Sequence, residues 1–482
     1  MTPNALAWAA LGLWPVVVLV TLAVRSRGGR VARTVTWLML LSAMFLPSNL
    51  TFKVPGVPGL DKNRVCVLAL WVGLTLFHPR RLTEAVKSAR FPRLVFAVAA
   101  WGVFQTVRTN PDALVFGPVT LPGLTPHDMT STALAVFLDH YLPFAVGQRV
   151  YRTERDLRDL FEVMTSCVLI YAPLFLFEVR MSPQLHRWVY GYHPSEFIQS
   201  VRGGGFRPMV FMNHGLVVAM FLLTGFVAAL ALRHRGASRL QPRPGWRAAI
   251  AGVLVLLSRS LGATIYAGVA VLMHRFLSPR ALARVLVVIA ALVVTYPLLR
   301  ATAAFPAERV VEFFRRISPD RSASLLFRFD QEEQLLARAR LRPNYGWGGW
   351  GRNQIWAPWG QMISVTDGYW IIMLGAFGYV GFGCFFALLL IPVLRFVWYR
   401  KRQPPSAQRL CGALALLVSL FAIDQLPNAL PGFMLLTYAG ALFSLSRDLA
   451  RRPARPRRQR AAEAAEATVA PPGTEPVMGA VS

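Results

Sequence analysis

Hydrophobic residues in this chain come in long blocks that are separated by polar gaps. Many of the blocks approach the ~20 residues that a helix needs to cross the hydrocarbon core of a bilayer. The short alternating strands of an outer-membrane barrel are absent from the pattern. The sequence therefore predicts an all-α, polytopic transmembrane helical bundle of about 12–13 helices. The predicted spans are residues 5–24, 35–48, 64–78, 93–108, 131–148, 158–179, 208–231, 248–258, 262–273, 281–299, 366–394, 409–423 and 428–446.

One long polar segment divides the chain. We expect residues 1–300 to hold the first ten helices, 301–365 to form a large and partly helical loop, and 366–450 to hold the remaining helices. Residues 451–482 are rich in Pro, Ala, Glu and Arg and contain no aromatic residue. Such a composition cannot bury a core, so we predict a disordered tail.

The sequence of the large loop predicts two helices. Between Pro306 and Ile317, pairs of apolar residues are interspersed with charged residues, which is typical of a short helix that lies on a membrane surface. Ser324 is a candidate N-cap for a second helix, which reaches about Leu341 and is stopped by Pro343.

Composition agrees with a membrane protein and excludes other classes. Hydrophobic residues make up 55% of the chain and charged residues 16%, whereas roughly a quarter of a soluble domain is charged. The net charge of +29 does not indicate nucleic-acid binding, because the arginines lie in the gaps between apolar spans. The four cysteines all fall inside apolar spans, so we expect no disulfide, no metal site and no cofactor.

The distribution of basic residues predicts the orientation of the helices. Every second gap is rich in arginine, and loops of this kind remain in the cytoplasm. No basic stretch precedes the first apolar block, so we expect it to be a first helix and not a cleaved signal peptide. The N-terminus is therefore predicted outside and the C-terminus inside. The basic gaps are residues 25–34, 79–92, 149–157, 232–247, 274–280, 395–408 and the tail after Ser446.

Two gaps that face outward in this topology nevertheless carry arginine, residues 180–207 and 301–365. Long loops can escape the charge rule, but the first gap is short, and an anionic ligand would explain its arginines. In the segment from Arg202 to Pro208, three glycines expose main-chain N–H groups between Arg202 and Arg207. With a helix expected to begin at Pro208, this segment is a candidate phosphate cradle. The alternative is a flexible loop that contacts lipid headgroups.

Polar residues at the borders of the spans are further candidates. Asn213 and His214 are expected one to two turns into a helix, where polar side chains face the protein interior. His214 is either catalytic or a hydrogen-bonded core residue. Arg259 interrupts two short spans, which we interpret as a broken or re-entrant pair. It requires an anion, or else a structural partner such as Asp139 or Asp424.

Three charged residues in and just after the large loop are further candidates, and we weigh Asp367 separately from Arg328 and Glu332. Asp367 is expected one residue into an apolar span, where partial desolvation suits a carboxylate to general-base work; the alternative is a helix N-cap at Thr366 or Asp367. Arg328 and Glu332 share a helix face at the i,i+4 spacing. The alternative for these two charges is a solvated helix face.

The order of these motifs resembles the O-antigen ligase and O-antigen polymerase superfamily. It comprises the Arg- and Gly-rich segment at 202–213, Ser-Arg-Ser at 258–260, Pro-x-x-Gly-Trp-Gly at 343–348 and the Tyr- and Gly-containing run at 369–381. The resemblance covers roughly residues 200–385. It implies a metal-independent glycosyltransferase of the bacterial inner membrane with a periplasmic active face. Such enzymes transfer a glycan from an undecaprenyl pyrophosphate carrier to lipid A core or to another carrier-linked repeat.

The resemblance also suggests roles for individual residues. It implies that Arg202, Arg259 and Arg328 bind the pyrophosphate, and the cradle adds Arg207. For the acceptor hydroxyl, Asp367 is the first candidate base, and Glu332, Glu333 and His214 are substitutes. The glycan would contact Asn213, Tyr369 and the tryptophans, whose alternative role is anchoring at the membrane interface. These tryptophans are Trp347, Trp350, Trp356 and Trp359.

One departure from the family pattern favours a polymerase over a ligase. Ligases carry a histidine just before the helix that follows the large loop, and this chain has none between Val365 and Tyr369. We therefore expect a polysaccharide polymerase that acts on undecaprenyl-pyrophosphate-linked glycan, with a chain-length regulator as a possible partner. A ligase is the first alternative. A transporter without covalent chemistry is the second, although its paired broken helices would have to recur in both halves of the chain.

Overall fold

The computed structural model describes residues 2–25, 30–79, 90–202, 205–233, 245–317 and 319–451. These residues are almost entirely helical. The helices are α1 (Ala5–Arg25), α2 (Val31–Phe45), α3 (Lys62–Phe77), α4 (Arg90–Arg108), α5 (Pro126–Val136), α6 (Leu142–Val150), α7 (Glu154–Met181), α8 (Leu185–Tyr190), α9 (Gly215–Leu232), α10 (Gly245–Leu257), α11 (Leu261–Phe276), α12 (Pro279–Ala301), α13 (Ala307–Ile317), α14 (Pro319–Arg340), α15 (Tyr369–Tyr399), α16 (Pro405–Asp424) and α17 (Phe433–Arg451). A π-helical turn, Phe137–Tyr141, joins α5 to α6.

The strands form three small antiparallel hairpins. They are β1 (Phe52–Val54) with β2 (Val57–Leu60), β3 (Leu114–Phe116) with β4 (Val119–Leu121), and β5 (Val201–Arg202) with β6 (Gly205–Phe206). All three lie in gaps between predicted spans, so the all-α class is confirmed for the described residues.

Each predicted span overlaps a helix. By length and composition, six helices in the described part of the chain could cross a membrane: α1, α7, α9, α12, α15 and α16. The helices α2, α10 and α11 are apolar but shorter. Arg259 separates α10 from α11, so the predicted break between these two short spans is present.

The helices of the loop agree with the prediction in part. Helix α13 has the predicted position. Helix α14 begins at Pro319, and Ser324 lies inside it, so the predicted N-cap is wrong. Proline fixes its own φ near the helical value and needs no N–H partner in the first turn, which explains why a helix can begin there. The tail after residue 451 lies outside the described residues.

Two helices of the core cross in backbone contact. A Cβ atom added to Gly147 on α6 would lie 2.0 Å from the Thr437 carbonyl oxygen on α17, and one added to Gly440 would lie 2.0 Å from the Phe144 carbonyl oxygen. Small residues at such a crossing let helices pack closely where lipid supplies no hydrophobic driving force.

The connections gather at two ends of the helices. At one end, Asn110 donates a hydrogen bond to the Gly346 carbonyl at 3.1 Å, which joins two gaps that we predicted to face outward. At the other end, Arg33 pairs with Glu162 at 3.2 Å. The candidate residues of the α8–α9 connection, the α10–α11 connection and the large loop all lie at the first end.

Candidate functional site

We define the arginine loop as residues 205–214. A helix was predicted from Pro208 onward, but this part of the loop is not helical. Helix α9 begins at Gly215 and not at Pro208. His214 is its N-cap, and the Nδ1 atom of His214 accepts a hydrogen bond from the Leu216 N–H at 3.1 Å. Asn213 therefore precedes the helix, where it is exposed. The apolar run after Pro208 extended the predicted span too far.

Two of the predicted cations meet at this loop. The Nη2 atom of Arg207 donates to the Arg259 carbonyl at 3.2 Å. The Arg259 guanidinium lies against Gly205, where an added Cβ would be 2.4 Å from its Nη1 atom. Likewise, the Arg207 side chain crosses Gly215, where an added Cβ would be 2.3 Å from Cδ. Both arginines thus depend on glycines for their close approach to the backbone.

The structural partners proposed for Arg259 are engaged elsewhere. Asp139 receives two hydrogen bonds from Arg64, at 2.7 and 2.6 Å. Asp424 receives one from Asn428 at 3.0 Å. The Arg202 backbone pairs with Gly205 in the β5–β6 hairpin. The other two glycines of the predicted cradle lie outside the described residues.

The predicted base Asp367 lies opposite a predicted phosphate ligand. The Asp367 carboxylate is 3.4 Å from the Nε atom of Arg328, and both side chains are about 40% exposed. Arg328 also donates to the Pro427 carbonyl at 3.2 Å. Helix α15 begins at Tyr369 with Gly368 as N-cap. Asp367 therefore lies before the helix, so both predicted positions, inside the apolar span and at the N-cap, are wrong. Its role as a general base stays a prediction.

Glu332 is held in a buried network behind this pair. It accepts hydrogen bonds from the Tyr296 hydroxyl at 2.7 Å and from the Arg300 guanidinium at 3.1 Å. Burial raises the pKa of the Glu332 carboxyl, and the bonds from Tyr296 and Arg300 oppose that shift. Because Arg300 on α12 is itself buried, this network fastens α14 to the bundle. Glu333 is more exposed and pairs with Arg340 at 2.8 Å.

A cavity of about 240 Å³ connects these side chains. As the i,i+4 spacing predicts, Arg328 and Glu332 both line it, and Asp367 lines it beside Arg328. Leu426 and Pro427, in the turn that follows α16, also line the cavity. A carboxylate, a guanidinium and an apolar wall therefore surround one space that is large enough for part of a ligand.

The turn between α16 and α17 also borders a second cavity, of about 170 Å³. Asn213 and Lys62 line this second cavity together with Asp424. Helix α11 reaches the same turn, because a Cβ added to Gly262 would lie 3.9 Å from the Asp424 carboxylate. Residues of this one turn thus border both the cavity that Arg328 and Asp367 line and the cavity that Asn213 of the arginine loop lines.

The structure reveals a histidine that the sequence analysis did not include. The Nε2 atom of His140 lies 3.0 Å from the Tyr369 hydroxyl, two residues beyond Asp367. His140 belongs to the π-helical turn, a distortion that is frequent at functional sites. The sequence did contain a signal for His140, because a polar residue within a predicted span such as 131–148 indicates a functional position. Tyr369 was predicted to contact glycan, and its hydroxyl points towards the π-helical turn that contains His140.

The four tryptophans of the large loop differ in exposure. Trp347 is only 8% exposed, and the guanidinium groups of Arg338 and Arg342 lie 4.2 and 4.4 Å from its ring centroid. Trp347 is thus a core residue of the loop, and little of its ring is open to the glycan contact that we predicted. Trp356 stacks on Phe116 of the β3–β4 hairpin. Trp350 and Trp359 are 70% and 67% exposed, so these two keep open faces.

Arg352, which the sequence analysis passed over, connects the hairpin to the loop. Its side chain is fully buried and donates to the carbonyls of Trp347, Pro122 and Asp112, at 3.3, 2.7 and 3.0 Å. Three carbonyl acceptors satisfy a guanidinium without a carboxylate. The role of Arg352 is therefore to hold the outer segments together.

Comparison with known proteins adds no identification. No protein-family model matches the chain, and no curated protein has a significantly similar sequence. The chemistry of the site must therefore be inferred from its side chains. The Arg328–Asp367 ion pair and the carboxylate of Glu332 line one cavity. Arg207 contacts Arg259 in the arginine loop.

Proposed function

We propose that this protein is a polymerase of bacterial polysaccharide, which joins undecaprenyl-pyrophosphate-linked glycan repeats at the periplasmic face of the inner membrane. The observation that carries the proposal is the Arg328–Asp367 pair at 3.4 Å on the wall of a 240 Å³ cavity. Arginines in fixed positions can neutralise a pyrophosphate leaving group without a metal. A carboxylate beside them can take the proton of an acceptor hydroxyl.

The reaction uses both members of the pair. The acceptor hydroxyl oxygen attacks the anomeric carbon of the donor glycan, and the bond from that carbon to the pyrophosphate oxygen breaks. Asp367 takes the hydroxyl proton, and lipid pyrophosphate leaves with the bonding electrons. The products are an elongated glycan on one carrier and free undecaprenyl pyrophosphate. The arginines stabilise the charge that develops on the leaving group.

Binding of the donor would release Asp367 for this role. An ion pair between side chains that are each about 40% exposed is screened by solvent and contributes little. A pyrophosphate carries more charge than one carboxylate and fits the forked guanidinium better. It therefore displaces Asp367 from Arg328 and leaves the carboxylate oxygen open to the acceptor.

The proposal is tested by complementing a gene deletion with variants of Arg207, Arg259 and Arg328. Each alanine variant is expected to lose long chains while single repeats remain on the carrier. Arg316→Ala is the matched control, because that arginine is 79% exposed and lies on α13 of the same loop. Loss of all attached glycan with carrier-bound polymer retained would indicate a ligase instead. Normal chain length in all three variants would contradict both.

A further inference from the structure

A buried carboxylate on α7, that of Glu178, accepts hydrogen bonds from the backbone of the arginine loop. Glu178 is fully buried. Its Oε2 atom accepts hydrogen bonds from the N–H groups of Met209 and Val210 at 2.9 and 2.7 Å. Its Oε1 atom accepts one from the Leu185 N–H at 2.9 Å. One acidic side chain thus binds three main-chain donors from two segments, and both of its oxygens act as acceptors.

Both main-chain polar groups of Phe211, the next residue of the loop, form hydrogen bonds with side chains. The Phe211 N–H donates to the Tyr171 hydroxyl at 3.1 Å. The Phe211 carbonyl accepts from the Ser48 hydroxyl at 2.7 Å and from the Lys62 ammonium at 3.1 Å. Three consecutive residues of an irregular segment therefore have their polar backbone groups bound by side chains of α7, α3 and the α2–α3 connection.

This binding maintains a strained backbone. Val210 has φ = +51°, a left-handed conformation that is strongly unfavourable for a β-branched residue. Strained residues persist only where their surroundings over-determine them, and they cluster at functional sites. Without the hydrogen bonds to its neighbours, the loop would relax to an ordinary conformation.

The strained segment lies between Arg207 and Gly215, and its conformation affects the positions of both. Arg207 stands two residues before Met209, and its amide donates to the Ser200 carbonyl at 2.7 Å. The Arg207 side chain folds back over Gly215, where α9 begins. Any movement of residues 209–211 therefore moves both ends of the loop, including the Arg207–Arg259 contact.

We propose that Glu178 is a positioning residue, which fixes the strained backbone of Met209–Phe211 so that Arg207 is directed at the anionic substrate. The anionic substrate is part of the proposed function, but the hold on the loop does not depend on it. A buried carboxylate within a predicted span is costly unless it has such a task, and Glu178 has no acidic or basic side chain as its hydrogen-bond partner in the described residues.

The direct test is hydrogen exchange of the full-length protein in nanodiscs. Glu178→Gln keeps the size of the side chain but replaces an acceptor by a donor, so the peptide covering residues 207–213 should exchange at least tenfold faster. Tyr171→Phe removes the acceptor for Phe211 and should have a smaller effect of the same kind; it also keeps the test open if Glu178→Gln does not fold. Glu162→Gln on the same helix is the control, since Glu162 pairs with Arg33 at the other end. Unchanged exchange in both loop variants would overturn the proposal.

A second readout separates positioning from mere packing. Inorganic pyrophosphate serves as the probe, and its affinity should fall at least tenfold in Glu178→Gln and in Arg207→Ala. If Glu178 acts through Arg207, the double variant should be no weaker than Arg207→Ala alone. Additive losses would overturn the link to Arg207. If the unaltered protein bound no pyrophosphate, the proposed function would fail, while the exchange measurement would still decide whether Glu178 holds the loop.

Discussion

Arg328 and Asp367 approach to 3.4 Å although 39 positions of the chain separate them. Arg328 belongs to α14 in the large loop, and Asp367 lies just before α15. Because both are about 40% exposed, their attraction adds little to stability. We infer that the pair is retained for the chemistry at the cavity that both residues line.

Removing each partner should have a different effect. Asp367→Asn should lower turnover by about 10²–10⁴-fold, the usual contribution of a general base, and leave donor affinity nearly unchanged. Arg328→Ala should weaken both donor affinity and turnover. The free energy of unfolding should change by less than about 1 kcal/mol in either variant. Equal losses of donor affinity in the two variants, measured by titration with lipid pyrophosphate, would contradict these separate roles.

Gly205 offers a way to disturb Arg259 without replacing it. In Gly205→Ala the new methyl group would meet the Arg259 guanidinium at 2.4 Å. The end of a flexible side chain can move aside, so we expect near-normal melting but at least a tenfold weaker affinity for pyrophosphate, by the loss of one charge-assisted contact of about 1.5–3 kcal/mol. Gly349→Ala, which meets nothing within 4 Å, is the control. Binding as tight as that of the control would show that Arg259 does not contact the anion.

The two hairpin glycines Gly56 and Gly117 form a matched pair for testing the outer segments. Both have positive φ, 76° and 57°, so alanine costs about 1–2 kcal/mol at either position. Only at Gly117 would the added Cβ also meet backbone, at 2.4 Å from the Pro358 carbonyl oxygen. Gly117→Ala should therefore destabilise the protein more, by about 1–3 kcal/mol. Equal melting temperatures would mean that the hairpin does not dock on the loop.

His186 predicts a dependence of stability on pH. It is 2% exposed, and its Nε2 atom accepts from the Ser48 N–H at 3.1 Å. Burial lowers the pKa of His186 from 6.5 to about 4. The unfolded chain therefore binds the proton first, so this contribution is complete above pH 6.5 and is lost as the pH falls towards 4. It amounts to roughly 3 kcal/mol.

The check is a series of melting curves between pH 4 and 7. His186→Gln should be less stable than the unaltered protein at pH 7 and should show a flatter pH dependence. The exposed His127 provides the control variant His127→Gln, which should retain the original slope. An identical slope in all three proteins would contradict the assignment to His186.

The sequence predicted the helices well because each long apolar run overlaps a helix. Errors arose where an apolar run is not helical. The run from Met209 to Met212 looks like the start of a helix, but the N–H groups of its first three residues donate to the side chains of Glu178 and Tyr171. No local rule contains that information, since the partners are more than thirty residues away.

The site was predictable in residue type but not in pairing. Arg328, Asp367 and Glu332 were all candidates, and the fold places them at one cavity. That Arg207 would join Arg259, that Trp347 would be buried by two arginines, and that His140 would reach Tyr369 depends on tertiary packing. Spacing along the chain constrains contacts within one helix and leaves such long-range pairs open.

The most direct measurement of the central claim is chain growth in proteoliposomes that contain the purified protein and undecaprenyl-pyrophosphate-linked single repeats. We expect polymer to form in step with the release of undecaprenyl pyrophosphate, and we expect Arg328→Ala and Asp367→Asn to slow both strongly. Repeats that cross the bilayer chemically unchanged, or polymer that forms at the original rate in both variants, would contradict the account.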